Sequence, residues 1–150
     1  MRAVVQRVRR SNVKVNDQII GKIDKGINLL LGIKKGDTLK DLKYLAEKIV
    51  NLRIFEDTDG KMNLSLIDKE YDLLIIPQFT LLGDCRKGRR PSFFESADPK
   101  MAKDFYKKFI NYIKENYDIS VQTGKFGAHM DVDIQNDGPV TLLIDSEKEF

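Results

Sequence analysis

Ile27-Asn28-Leu29-Leu30-Leu31-Gly32-Ile33 carries apolar side chains at consecutive positions. A strand with one wet face would alternate polar and apolar residues, so this run belongs deep in a sheet with both faces covered. Asn28 and Gly32 break it, and it falls far short of the roughly 20 apolar residues that a membrane-spanning helix needs. Upstream, residues 4–15 are rich in β-branched side chains and end at the turn Asn16-Asp17. A second strand follows at residues 18–23, then a turn at Asp24-Lys25-Gly26. Downstream, Leu73-Leu74-Ile75-Ile76 reads as another buried strand, stopped by Pro77 because proline has no N–H for the ladder.

Two helices stand out between and after these strands. Thr38 followed by Asp41 has a capping pattern, and Leu42, Leu45, Ala46, Ile49 and Val50 recur at helical spacing. Asp98-Pro99 opens the second helix with a capping carboxylate and a proline at the first helical position. Its apolar face is wide, with Met101, Phe105, Phe109 and Tyr112 in one row and Ala102, Tyr106, Ile110 and Ile113 in the next. Shorter strands are expected at residues 53–56, 119–122, 128–134 and 140–144. The alternation of Met62, Leu64 and Leu66 suggests one more. Residues 83–94 form a long basic loop, and residues 147–150 a frayed tail. The whole pattern predicts an α+β fold: one domain over residues 1–150, its mostly antiparallel, barrel-like sheet packed by two helices.

Composition narrows the chemistry. The 41% hydrophobic and 33% charged content is that of an ordinary globular domain. No apolar signal segment opens the chain, and a lone cysteine, Cys85, cannot build a disulfide framework, so a reducing cytoplasm is the expected compartment, with no membrane association. One histidine, His129, and one cysteine cannot supply a zinc site of the usual kind, and no metal or cofactor is expected. Neither nucleotide-binding glycine motif occurs. Gly124-Lys125-Phe126-Gly127 matches the loop of an RNA-clamping KH module, but that loop joins two helices and this one lies between strand-like segments. Arg86, Lys87, Arg89 and Arg90 crowd one loop, while Arg2, Arg7, Arg9 and Arg10 crowd the first strand. Such patches fit phosphates or simply a solvated basic face.

Two segments lie where strands meet loops: Pro77-Gln78-Phe79-Thr80-Leu81 and Asn136-Asp137-Gly138-Pro139-Val140-Thr141. The first brings amide, aromatic and hydroxyl groups to a sheet edge, and the second is a turn signal whose X-Pro bond can be cis. Together they resemble the S-Q-F-T-L and N-x-G-P-V-T signatures of the bacterial D-aminoacyl-tRNA deacylase family. Arg90-Pro91-Ser92-Phe93 and residues 122–128 also resemble family stretches, in the same order and spacing, so the likeness runs over nearly the whole chain. Pro77 departs from the family serine, and any role of that serine does not transfer.

The resemblance implies a hydrolase that cleaves the ester of D-aminoacyl-tRNA, and of mischarged glycyl-tRNA. It implies a homodimer with active sites at the subunit interface and aminoacyl-tRNA as the partner. Gln78, Phe79 and Thr80 would line the pocket for the terminal adenosine and its ester. Gly138 and Pro139, joined by a cis bond, would be inserted from the other subunit, and Arg7 would hold that segment. The family reaction draws on the tRNA's own 2′-hydroxyl, which suits a chain with no evident base. The rival reading is a non-catalytic RNA-binding module using the same basic patches.

Overall fold

The computed structural model describes residues 1–149. Its spine is β1 (Arg2–Val15), long enough to hold three neighbours. The first half of β1 pairs antiparallel with β3 (Gly26–Gly32) and its second half with β2 (Gln18–Ile23). Its opposite edge pairs with β8 (Asp131–Asp145). Beyond β3 the sheet continues to β6 (Asp72–Pro77) and β7 (Val121–Thr123). It then curls back on itself: a Cβ on Gly21 of β2 would lie 2.9 Å from the Thr123 carbonyl of β7, so glycine lets the barrel nearly close there.

The strand-to-strand pairings β3–β6 and β6–β7 are parallel, while the three made by β1 are antiparallel. Parallel neighbours need a long crossover. The helices supply it: α1 (Leu39–Val50) stands between β3 and β6 in the chain, and α3 (Pro99–Asn116) between β6 and β7. These are the two helices expected from sequence, and their predicted starts hold. The Thr38–Asp41 capping box is formed, and the Asp98 carboxylate accepts from the Lys100 and Met101 amides. Each such cap is worth about 1 kcal/mol.

The quoted run is β3, and its two faces enter different cores. Ile27, Leu29 and Leu31 pack with Leu45, Ile49, Phe109 and Ile113 under the helices. Leu30 turns inward, beside Val13, Leu74 and Ile76 in the barrel. Burying each large side chain contributes about 1.5–3 kcal/mol, which is why so short a strand can anchor the sheet. Asn28, fully buried, accepts from the Ser11 hydroxyl and donates to Gln6.

Four local expectations need correcting. Leu66 does not continue a strand: after β4 (Phe55–Glu56) and β5 (Met62–Leu64), a third, one-turn helix α2 (Leu66–Lys69) begins. The Ser65–Asp68 capping box starts it, and a single buried Leu66 side chain satisfies either pattern. The strand expected at 53–56 shrinks to Phe55–Glu56, because the Ile54 N–H donates to the Leu52 carbonyl at 3.0 Å in a tight turn that a ladder strand cannot contain. The last two expected strands are one strand, β8, because β1 is long enough to pair with both parts. The tail is held rather than frayed. Lys34 pairs with Glu147 and Glu149, and Arg2 with Asp145 and Glu149; Phe150 lies outside the described residues.

Candidate functional site

A cavity of about 510 Å³ opens where β6 ends. Pro77 closes β6 as its last residue, opposite Leu31. The chain then tightens into a 3₁₀ turn, Phe79–Leu82, preceded by Gln78, whose N–H donates to the Leu31 carbonyl at 2.8 Å. Gln78 and Phe79 line the cavity; Thr80 does not. The Thr80 hydroxyl accepts from the Gln78 side-chain amide. Among the described residues it bonds to no histidine or carboxylate that could activate it as a nucleophile.

Phe79 is 57% exposed yet held from two sides. The Phe93 ring meets it edge-on with centroids 5.1 Å apart, and the Ser96 hydroxyl donates to its carbonyl at 3.3 Å. As the first residue of a helical turn, Phe79 keeps an N–H with no partner inside the turn. Much of the rest of the wall is apolar: Ile76, Phe126, Met130 and Val132, with Ala97 and Ala102 at the foot of α3. A Cβ on Gly124 would meet the Met130 sulfur at 2.8 Å, so glycine lets this loop fold against the wall. Buried Tyr106 steadies it, donating to the Ile75 carbonyl at 2.7 Å and to the Gly124 carbonyl at 3.4 Å. Desolvation pushes that hydroxyl above its ordinary range, so it remains a donor. Sequence reasoning assigned no role to Ser96 or to the 126–132 wall. The only signals were the Arg90-Pro91-Ser92-Phe93 and 122–128 stretches, which carry the resemblance but not a task.

The second segment is elsewhere. In β8, residues 137–140 bulge out opposite the single residue Arg7, because Gln6 pairs with Thr141 and Val8 with Asn136. The Gly138–Pro139 bond is cis, and Gly138 takes φ +119°, a conformation open to glycine. Arg7, only 6% exposed, grips the bulge from beneath. Its Nε donates to the Asp137 carbonyl at 3.1 Å, and its Nη1 to the Ile54 carbonyl at 2.7 Å. The Asp137 carboxylate lies 3.4 Å from Arg7 Nε and 3.3 Å from Arg9 Nε. A smaller cavity of about 170 Å³ lies here, between Arg7, Asp137, Lys25, Lys69 and Tyr71.

The two segments do not meet within one chain. Arg7 pairs with Ile27 at the start of β3, whereas Gln78 bonds Leu31 near its end. That is four residues, roughly 13 Å at ~3.3 Å per residue, with β1 and β3 lying between as well.

His129 borders the large cavity with its side chain 94% exposed, and its nearest acidic partner, Asp131, is 3.9 Å away. Exposed Cys85 is not part of the cavity wall. The two are not assembled into a nucleophile and base. Gly124–Gly127 joins β7 to β8, not two helices, which excludes a KH arrangement. In the basic loop Arg86 is occupied: it donates from Nε and Nη2 to Asp84, both at 2.8 Å. Those bonds hold the Asp84 carboxyl at about 2, so the staple forms at any pH above the carboxylate range and is lost only as pH falls through about 2. Lys87, Arg89 and Arg90 are the loop's exposed cations without such a staple. Asp145, Glu147 and Glu149 draw close enough to suggest a cation site, but Arg2 and Lys34 already neutralise them. Among the described residues no helix is long and apolar enough to cross a membrane.

The sequence profile of the D-Tyr-tRNA(Tyr) deacylase family matches residues 4–145. The D-aminoacyl-tRNA deacylase of Thermosipho africanus is 60% identical over 150 residues, all of both chains. The solved structure of the c-Myc DNA Unwinding Element Binding Protein superposes with a TM-score of 0.93 at 44% identity, over 97% of this chain and 98% of that one. A probable eukaryotic D-amino acid tRNA deacylase shares the fold at a TM-score of 0.76 and 19% identity, over 95% and 97% of the two chains.

Proposed function

The chain belongs to the D-aminoacyl-tRNA deacylase family, and from that membership we propose how its surfaces divide the hydrolysis of D-aminoacyl-tRNA between two copies of the protein. The large cavity takes the terminal adenosine and its aminoacyl ester. The Gly138-Pro139 bulge of a second copy closes it. What supports this reading is the separation of the two motif segments to different parts of one chain, each well built and each incomplete. Leu142 and Leu143, on the same strand as the bulge, are 36% and 62% exposed, and Phe79 beside the cavity is exposed too; a second copy would cover apolar surface of this kind. The substrate is met in the cytoplasm, where a lone exposed thiol stays reduced.

The chemistry asks little of the protein, since an aminoacyl ester is already activated. Phe79 N–H is the donor for the oxyanion that develops on the ester carbonyl. Gln78 orients Thr80 at the rim, and Thr80 positions rather than attacks. The tRNA's 2′-hydroxyl assists the attack of water. Chirality is read at Cα: the carbonyls of Gly138 and Pro139 hold the α-amino group and leave no room for an L side chain. Glycyl-tRNA, having no Cβ, passes the same filter.

Release of D-tyrosine, with L-tyrosine retained, from separately charged tRNA tests the whole reading. Release of neither leaves only an RNA-binding module; release of both removes the chiral filter. Cys85→Ala and His129→Ala should each keep kcat/KM within about threefold of the parent, less than ~0.7 kcal/mol of barrier. A folded variant of either that loses a hundredfold restores a side-chain nucleophile or base to the mechanism.

A further inference from the structure

We propose that Lys100, Lys103, Lys107 and Lys114 of α3 form a track for the phosphates at the acceptor end of tRNA, leading away from the mouth of the large cavity. The proposal rests on the deacylase reading and extends it from the ester to the nucleic acid behind it.

The helix starts at the cavity, since Pro99 and Ala102 are part of its wall. All four lysines are exposed. With 3.6 residues per turn, they fall within one arc of about 80° on the helix circumference, and exposed Asn111 lies in the same arc. The buried residues Ala102, Tyr106, Phe109 and Ile113 occupy the other side. Acidic residues are kept out of the arc. Asp104 and Glu115 stand beside it, and Asp104 is engaged by Lys108 at 2.8 Å. None of the four ammonium groups has an acidic partner among the described residues.

An ordinary solvated helix mixes its charges, and α1 does so: by the same angular count, Glu47 stands between Lys40 and Lys43. On α3 the charges are sorted instead. From Lys100 to Lys114 the stripe spans roughly 21 Å at ~1.5 Å per residue, long enough to pass several phosphates. A substrate whose ester lies in the cavity must send its nucleic-acid chain out through the mouth. A row of free cations starting at that mouth is what a polyanion leaving it would meet.

The test compares two substrates, D-tyrosyl-tRNA and D-tyrosyl-adenosine, the second of which ends before the stripe begins. In Lys103→Glu/Lys107→Glu, the ratio of kcat/KM for the tRNA to that for the adenosine should fall at least about tenfold at low salt. Lys22→Glu/Lys40→Glu, an equal charge change on exposed residues elsewhere, should keep the ratio within about twofold. In Lys103→Ala/Lys107→Ala, the dependence of log kcat/KM on log salt should flatten by about 0.7 to 0.9 per lost phosphate contact. An unchanged ratio, an equal loss on both substrates, or an equal fall in the Lys22/Lys40 variant each overturns the track. An unmodified protein that cleaves neither substrate sinks the deacylase reading instead, and the track with it.

Discussion

Gly138→Ala should cut kcat/KM on D-aminoacyl-tRNA by a hundredfold or more, ~2.7 kcal/mol of barrier, in a protein that still folds. Gly138 sits at φ +119°, where an L side chain is strained on the order of 1–3 kcal/mol. An added Cβ would also lie 3.0 Å from the Val140 backbone nitrogen and 3.2 Å from Arg7 Nη2. The bulge must therefore shift, and its carbonyls with it. The cost to folding is modest because the strand on either side keeps its pairing with β1. Because the bulge and the large cavity belong to different parts of one chain, the defect should be complemented in trans. Mixing Gly138→Ala with Phe79→Ala gives heterodimers in which one site joins an intact Phe79 to an intact Gly138. With full subunit exchange at equal amounts, about a quarter of all sites are then whole, so about a quarter of the parent activity should return. Mixtures shown to exchange subunits but recovering nothing would put both segments to work within one chain.

The parts of this fold that local chemistry decides were legible. β3 declared itself by apolar residues on both faces, and α3 by Asp98-Pro99, since capping needs only neighbours in sequence. The one-turn helix at Leu66 was not, although its Ser65–Asp68 box is equally local. Met62, Leu64 and Leu66 alternate, and that period of two masked the cap. Parallel pairing of β3 with β6 depends on α1 crossing between them, which no short window displays. The site divided in the same way. Gln78 and Phe79 follow a proline-terminated strand and were visible; the Phe126–Val132 wall and the Ser96 bond to Phe79 exist only once β7, β8 and α3 converge. Thr80, chosen with Gln78 and Phe79, is not among the residues that line the cavity: it is the exposed second residue of the 3₁₀ turn.

Arg7→Lys should keep the fold and blur the chirality. The Arg7 guanidinium spans two directions at once, toward the Asp137 carbonyl and the Ile54 carbonyl. A lysine ammonium is a single point at the end of a flexible stem and cannot reproduce that fork. If it keeps Ile54, the Asp137 carbonyl loses its donor beside Gly138; if it keeps Asp137, a buried carbonyl is left unpaired, which costs about 1–3 kcal/mol. Either way the bulge gains freedom where the proposed filter needs fixed carbonyls. The expected loss is roughly 30-fold in kcat/KM for D-tyrosyl-tRNA, ~2 kcal/mol, with a smaller loss, or a gain, for L-tyrosyl-tRNA. The ratio of D to L rates is therefore the diagnostic quantity, because a residue that only supports the fold would lower both together. Asp137→Asn serves as the companion variant. It weakens the ion pairs to Arg7 and Arg9 but leaves the Asp137 main-chain carbonyl and its Arg7 bond in place. Its D-to-L ratio should stay close to that of the parent. A ratio preserved in Arg7→Lys as well would mean that Arg7 carries stability alone, and that the carbonyls of the bulge are held by the β1–β8 ladder without it.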